Sequence, residues 1–583
     1  MNSKRPDPGE IYQRILANQN NEEQLEALHQ ILEKYDLFDE VLCLMNETIE
    51  VPEDSDEDVL SDEEAQSDEE LDLGPRNARG LFNKKAYKVK QVWTNWLETT
   101  NAQPMRYYTP GNIFEIRDII REAEAHQLKV RAFGSGHGLS DVATTTGYLI
   151  DTSKLQRVLP LDPSSLKPAY RNKPLFQVEA GIKIKRLNRK LKKAGLALSN
   201  MGGSDVQSIV GAISTSTHGS GIGLGPLPSM VRSLVLVTTG GRICRIEPTN
   251  GITQANPTES AHGIELIQDD HYFNAALVSM GCMGVIYSVI LEVEPAYQLT
   301  ERRVLTSWNA IKPQLQAGGK HELIRKHRHF ELIINPHQID GDHACIVTTR
   351  NYANGKEKPR GKDRRRDFLP SLVSSLPLSS KLIVSYFKTF PWRIPKAINR
   401  ALKGLEDEEF TNHSYKVLNQ GTGQLKFIGC AVEVGVAMSD YIDAIEKIFQ
   451  IAERFKSNGR QYLTSPIGVR FVAPSDAYLS MMHGAETCMI EIPTLKGTPG
   501  WQDMIKEVQL ELTKIGGKPH WGLDFAQLNG NFDRLLAMYP QLECWQEVYQ
   551  EFNAKGTFNN SFTNRMGFSN NPNSNNGELP LVA

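Results

Sequence analysis

The chain has 583 residues, 40% hydrophobic and 23% charged, the balance of a soluble globular protein too long for one ordinary core. Its net charge of −4 conceals an asymmetry, since residues 1–75 hold 23 acidic and 4 basic side chains while the remainder holds 46 and 61. No run of 18 uncharged apolar residues occurs, which argues against a membrane-spanning helix, and seven scattered cysteines without a C-x-x-C pair argue against a disulfide framework or structural zinc.

Residues 1–52 read as a helical extension, with Ile11, Ile15, Leu25, Leu28, Ile31 and Leu32 at helical spacings. The opening MNSKRPDPGE lacks the apolar core of a secretory signal, and with the cysteine usage this points to the cytoplasm. Residues 53–90 read as a disordered linker, since 53–72 alone carry 12 carboxylates in 20 positions. Ser55, Ser61 and Ser67 each precede acidic residues, as acidophilic kinase sites do, but a solvated spacer is the simpler reading.

From residue 91 the pattern becomes a mixture of helices and strands, an α+β class. Helices are expected over 115–127 and 184–194, and strands over 128–133, 147–151, 175–180, 231–238 and 284–294. After about residue 300 the alternation loosens, as in a second α+β domain. Residues 355–367 (GKEKPRGKDRRRD) form a basic loop, followed by an aromatic stretch over 368–402 that four prolines break into short pieces. Basic residues beside such a stretch leave a peripheral membrane contact open, with packed short helices preferred. The loop lacks interleaved aromatics for base stacking, so no nucleic-acid partner is expected. Residues 568–583 read as a frayed tail.

Three segments carry the chemistry. RAFGSGHGLSD (Arg131 to Asp141) follows a predicted strand, and Gly134, Gly136 and Gly138 let successive N–H groups converge as a pyrophosphate site requires. It is not a G-x-G-x-x-G fingerprint, because position 139 is Leu139. SNMGGSDVQSIVGAISTSTHGSGIG (Ser199 to Gly223) offers glycines among small hydroxyl residues, unsuited to a core and suited to a long ligand. A third segment, MGCMGVIYSVILEVEP, places glycines before a buried strand.

GSGHGLSD, VEAGIKIKRLNRKLKKAGLALSNMGGSD, STHGSG, GCMGVIYSVILEVEP, WTNW and KPHWG together resemble the FAD-linked oxidoreductases of the vanillyl-alcohol-oxidase (PCMH-type FAD-binding) superfamily, in the sugar-1,4-lactone and alditol oxidase branch. The likeness runs over about residues 90–560. It implies an FAD-binding domain over 91–300, a substrate or cap domain over 301–515, and a segment 516–567 that completes the active site. It further implies FAD bonded covalently through His137, with Gly134, Ser135, Gly136, Gly138, Ser140, Gly203, Ser204, Thr217, His218, Gly219 and Ile286 as cofactor contacts and no metal. For His218 a purely structural role is equally open.

The chemistry expected is hydride transfer from a carbinol carbon of a small alcohol or lactone, which requires a base or a cation for the developing alkoxide. The resemblance assigns this side to Arg470 and His520. It also calls for Glu two residues before the Arg and Lys two residues after the Trp, where this chain has Gly468 and Leu523. Asp524, Lys518 and Glu433 are candidates to compensate. Gly202 matches a position that admits O2 in the family, which favours an oxidase releasing H2O2. A dehydrogenase with another acceptor and a non-catalytic FAD-binding protein remain as alternatives.

Overall fold

The computed structural model describes residues 5–18, 21–35, 37–38, 40–41, 87–255, 257–317, 321–353, 383–421, 429–525 and 532–569. The acidic stretch 53–72, the basic loop 355–367 and the tail beyond residue 569 lie outside the described residues. Contacts divide the chain into two units, residues 1–86 and 87–583.

The first unit contains two amphipathic helices, α1 (Pro8–Ala17) and α2 (Glu22–Tyr35). Asp7 caps α1 by accepting the Gly9 amide, with Pro8 at the first helical position. Ile11 and Ile15 of α1 and Leu25, Leu28 and Leu32 of α2 are buried at the anticipated spacing.

The second unit is built on three principal sheets. A four-stranded sheet contains β1 (Val130–Phe133), which pairs in parallel with Tyr148–Asp151 and follows α3 (Ile113–Ala125). A six-stranded sheet has at its centre β2 (Leu175–Glu179), β3 (Val231–Val237) and β4 (Val285–Glu292), all antiparallel. Between β2 and β3 lie α4 (Ile184–Lys193) and the short α5 (Ile209–Ser214). Each of these strands and the two longer helices falls within three residues of its sequence-based range.

The eight-stranded antiparallel sheet includes, as successive neighbours, β5 (His329–Ile334), β7 (Ile467–Val472), β8 (Thr487–Leu495) and β6 (Gly429–Ala437). Strand residues alternate between faces. Leu332, Ile334, Val469, Phe471, Ile490, Ile492, Val432 and Val434 belong to a core that also takes in residues of the helices Tyr441–Gly459 and Trp501–Lys514. The other face carries Glu331, Gly468, Arg470, Glu491 and Glu433 in register.

Lys518–Pro519 adds the eighth strand beside β6, and Gln298–Ser307 already belongs to the same sheet. The chain after residue 519 then returns to pack Trp521, Trp545 and Phe562 into the core formed with β2 to β4. Residues 516–567 thus contribute both to the eight-stranded sheet and to the core around β2 to β4. In the aromatic stretch, Tyr386, Phe387 and Phe390 are buried on short helical pieces, which leaves these rings inside the fold. Among the described residues no helix is long and apolar enough to cross a membrane.

Candidate active site

The two glycine-rich segments meet. Strand β1 ends at Phe133, and the loop that follows turns at Gly136 with φ +67°. Gly134 lies so close to Ser208 that any Cβ there would collide with its hydroxyl. Ser135 Oγ accepts the Ser208 amide at 2.6 Å, joining the loop to the entrance of α5. Together with Met280 to Ile286 these segments line a cavity of about 370 Å³, whose far wall is the polar face of the eight-stranded sheet.

Gly134, Ser135, Gly136, His137, Gly138, Ser140, Gly203, Ser204, Thr217, His218 and Ile286 all line this cavity, as do Arg470 and His520. Gly219 does not belong to the lining. It is packed against Asn200 and the Met201 carbonyl with no room for a Cβ, and its own carbonyl accepts from Nδ1 of His218 at 2.8 Å. There it lets the chain pass behind the wall, where no side chain would fit.

The cavity suits a dinucleotide. Ser140 Oγ, Ser204 Oγ and Gln207 Oε1 are buried on its lining with no hydrogen-bond partner among the described residues, an arrangement that costs free energy unless a ligand supplies one. His137 stacks on Trp96, with ring centroids 4.9 Å apart. Burial, aided by Lys183, lowers its pKa to about 4, so the imidazole is neutral at pH 7. Its ring makes no hydrogen bond among the described residues, whereas Nδ1 of His218 donates to Gly219 and its Nε2 faces Glu433 at 3.3 Å.

The sheet wall is a continuous charge network. Glu301 accepts from Arg303 at 2.9 Å and Arg350 at 2.7 Å, and Arg350 also donates to Glu331 at 3.1 Å. Glu331 accepts from Arg470 Nε at 3.0 Å and from Gln420 at 2.9 Å. Arg470 Nη1 donates to Glu491 at 2.6 Å and reaches Glu433 at 3.5 Å. Burial works against the charge on Arg470, but Glu491, Glu331 and Glu433 outweigh it and raise its pKa. Burial likewise opposes ionisation of Glu331, yet Arg470 and Arg350 bring its pKa down to about 2. Glu433 is also held ionised, since His218, His520 and Arg470 overcome the cost of burying it.

His218, Glu433 and His520 bring donor atoms within 4.8 Å of one another. Hydrogen bonds already commit part of this donor set. Nδ1 of His520 accepts the Gly522 amide at 2.9 Å, so in the neutral ring the proton sits on Nε2 and no lone pair is left for a metal. Burial keeps that ring neutral, with its pKa near 4. The backbone amide of His520 is itself held by the Glu433 carbonyl at 2.9 Å.

Of the three residues considered as compensation for Gly468 and Leu523, only Glu433 reaches the cavity. Asp524 accepts from Cys430 Sγ at 3.2 Å, and Lys518 lies over the Tyr539 ring. Sequence reasoning missed Glu331, Glu491 and Gln420, which enter the lining from separate positions without a motif, and Gln207, which lies within the second glycine-rich segment. Period-two alternation marks Glu331 and Glu491 as polar positions in otherwise apolar strands, the one signal available.

Residues 104–247 match the family model described as FAD binding domain, and residues 289–566 match that described as D-arabinono-1,4-lactone oxidase. The chain belongs to the PCMH-type FAD-dependent oxidoreductases. It is 28% identical to the L-gulono-1,4-lactone dehydrogenase of Mycobacterium tuberculosis, over 82% of this chain and 99% of the relative. It is 27% identical to the L-gulonolactone oxidase of Mus musculus, again over 82% and 99%. The D-arabinono-1,4-lactone oxidase of Yarrowia lipolytica is 32% identical over 40% of each chain. The fold is shared with cholesterol oxidase from Brevibacterium sterolicum, at a TM-score of 0.64 and 14% identity, covering 84% of this chain and 99% of that one. In this PCMH-type oxidoreductase, the FAD binding match contains His137 and His218, and the second match contains Arg470 and His520. FAD is therefore the cofactor, and both matches contribute to one cavity.

Proposed function

We propose that this FAD-dependent oxidoreductase oxidises a carbinol of an aldonolactone or related polyol, with the flavin bonded to His137 and dioxygen as the electron acceptor. The observation that carries this reading is the single cavity flanked on one side by the glycine-rich segments and on the other by the Arg470 network. The names of the relatives, lactone oxidases and a lactone dehydrogenase, support the substrate class.

When bound, the flavin supplies the acceptor for the hydride that leaves the carbinol carbon. Arg470, held charged by its carboxylates, stabilises the oxygen as it loses its proton. His520 presents an Nε2–H donor that orients a substrate oxygen. Glu491 is 22% exposed, against 2% for Glu331 and 4% for Glu433, so it is the wall carboxylate able to accept from a substrate hydroxyl. Leu523 adds an apolar patch to the lining, suiting a neutral lactone better than an open-chain anion. Of the two imidazoles near the flavin side, His137 is the one whose ring nitrogens are uncommitted, which supports it over His218 as the point of attachment. A second reading passes the electrons to another acceptor, as the name of the Mycobacterium tuberculosis relative suggests.

Two measurements test the proposal. Acid denaturation should leave yellow colour on the polypeptide, and His137→Ala should release it. A peroxide-coupled assay with L-gulono-1,4-lactone and D-arabinono-1,4-lactone should give turnover; anaerobic flavin bleaching without peroxide in air would point to the second reading, and no bleaching would overturn both.

A further inference from the structure

We infer that the hairpin 93–102 is a jig for attaching the cofactor, in which Asn95 and Trp96 hold the His137 imidazole in the attitude from which it becomes bonded to the flavin. This deepens the reading above and rests on it.

The hairpin is pinned by pairing of Trp93 with Ala102 and Thr94 with Asn101. Within its turn, buried Asn95 uses every polar atom of its side chain. Its Oδ1 accepts the amides of Thr99 at 2.8 Å and Thr100 at 3.1 Å, and its Nδ2 donates to Thr99 Oγ1 at 2.6 Å and to the Gly138 carbonyl at 2.8 Å. Thr99 Oγ1 in turn donates to the Leu139 carbonyl at 2.8 Å, and the Trp96 amide donates to the Gly136 carbonyl at 2.8 Å. The carbonyls of residues 136, 138 and 139 are thus all held by one short segment. Trp93 closes the approach beneath Gly136, where a Cβ would lie 3.7 Å from its ring.

Backbone bonds alone would fix the loop and leave χ1 and χ2 of His137 to rotate. The Trp96 ring removes that freedom by stacking on the imidazole at an interplanar angle of 26°. A tertiary fold gains little from orienting a half-buried imidazole, but a bond-forming step gains much, because its rate depends on holding the reacting atoms in line. Bond formation replaces the imidazole N–H and one C–H of the 8α methyl group by a C–N bond. The two electrons and two protons released pass through the flavin ring to dioxygen, giving hydrogen peroxide. Burial and Lys183 favour the neutral imidazole, which keeps a nitrogen lone pair for this step.

The test follows attachment and not turnover. Full-length protein is purified without flavin from riboflavin-limited cells, FAD is added in air, and samples are precipitated in acid at intervals to separate bound from released flavin. Wild type, Trp96→Phe, Trp96→Leu, Asn95→Ala and His137→Ala are compared, with the noncovalent dissociation constant for FAD measured separately by fluorescence quenching. Trp96→Leu and Asn95→Ala should slow attachment about tenfold or more while Trp96→Phe, which can still stack, stays within a few-fold of wild type. Leucine is apolar and close to phenylalanine in size but has no ring face, so equal rates for the Phe and Leu variants overturn the inference, whatever the effect on FAD affinity. A wild-type protein that never retains flavin in acid overturns the covalent reading, and this inference with it.

Discussion

Glu491 stands directly opposite Gly468 across the β7–β8 pair, and its carboxylate lies 2.6 Å from Nη1 of Arg470. A Cβ at 468 would sit 3.8 Å from both Cβ and Oε2 of Glu491, so the space beside Arg470 that a side chain at 468 would enter is shared with the neighbouring strand. Glu491 thus places a carboxylate beside Arg470 from the neighbouring strand, next to the position where the family likeness calls for one.

Glu491→Ala should therefore lower kcat/KM for an aldonolactone by roughly 10- to 100-fold, the scale of one hydrogen bond to a charged group. Adding Gly468→Glu to that variant should recover most of the loss, because the position has ordinary van der Waals space and no positive φ. Steady-state kinetics with the single and double variants decide it. A single variant as active as wild type would remove Glu491 from the substrate wall.

Gly202 lines the cavity where a Cβ would lie 3.2 Å from Cγ2 of Thr217 and 3.3 Å from the His218 carbonyl. Gly202→Ala adds one methyl group here, which Thr217 and the His218 carbonyl must accommodate by a few tenths of an ångström. Reoxidation of the reduced enzyme by dioxygen should slow about tenfold, a barrier increase of about 1.4 kcal/mol, while anaerobic reduction by substrate stays near wild type. Stopped-flow spectroscopy of the two half-reactions checks this, and equal reoxidation rates would show that position 202 does not control oxygen access.

What could be read from the sequence followed the range of its interactions. The strands β1 to β4 and helices α3 and α4 announce themselves by local periodicity, and the loop around His137 by glycines that its turns require. Gly219 shows what periodicity does not separate, since a glycine needed for close passage and one facing a ligand look alike in a sequence. Glu331 and Glu491 are 160 positions apart and meet through Arg470 only once the strand register is known. Likewise the orphaned Gln207 Oε1 is a property of the folded cavity, invisible in a segment whose glycines drew the eye.

The outer part of the sheet network serves stability. Glu301 is completely buried and binds both Arg303 and Arg350. Glu301→Ala leaves two buried guanidinium groups short of a carboxylate, which should cost about 3–5 kcal/mol. Urea denaturation followed by far-ultraviolet circular dichroism measures the loss. A change below about 1 kcal/mol would mean that water or a neighbour replaces the carboxylate without penalty.

Buried histidines should make the protein acid-labile before its carboxylates titrate. Burial lowers the pKa of His329 to about 3 and of His337 and His520 to about 4. His329 and His337 each use one ring nitrogen to bond a backbone carbonyl and, among the described residues, have no partner for the other. Above the unfolded value near 6.5 both states carry neutral rings and stability is full. Between 6.5 and about 4 the unfolded chain takes up protons that the folded protein refuses, so stability falls as pH falls. Glu331, ionised down to about pH 2, adds its own loss only below the ordinary carboxylate range. Scanning calorimetry at pH 8, 7, 6 and 5 should show little change between the first two and a drop in Tm of about 5 °C or more between pH 7 and 5. His337→Gln, which removes one of the titrating rings, should flatten that slope, and a Tm constant down to pH 5 would show that the rings protonate in place.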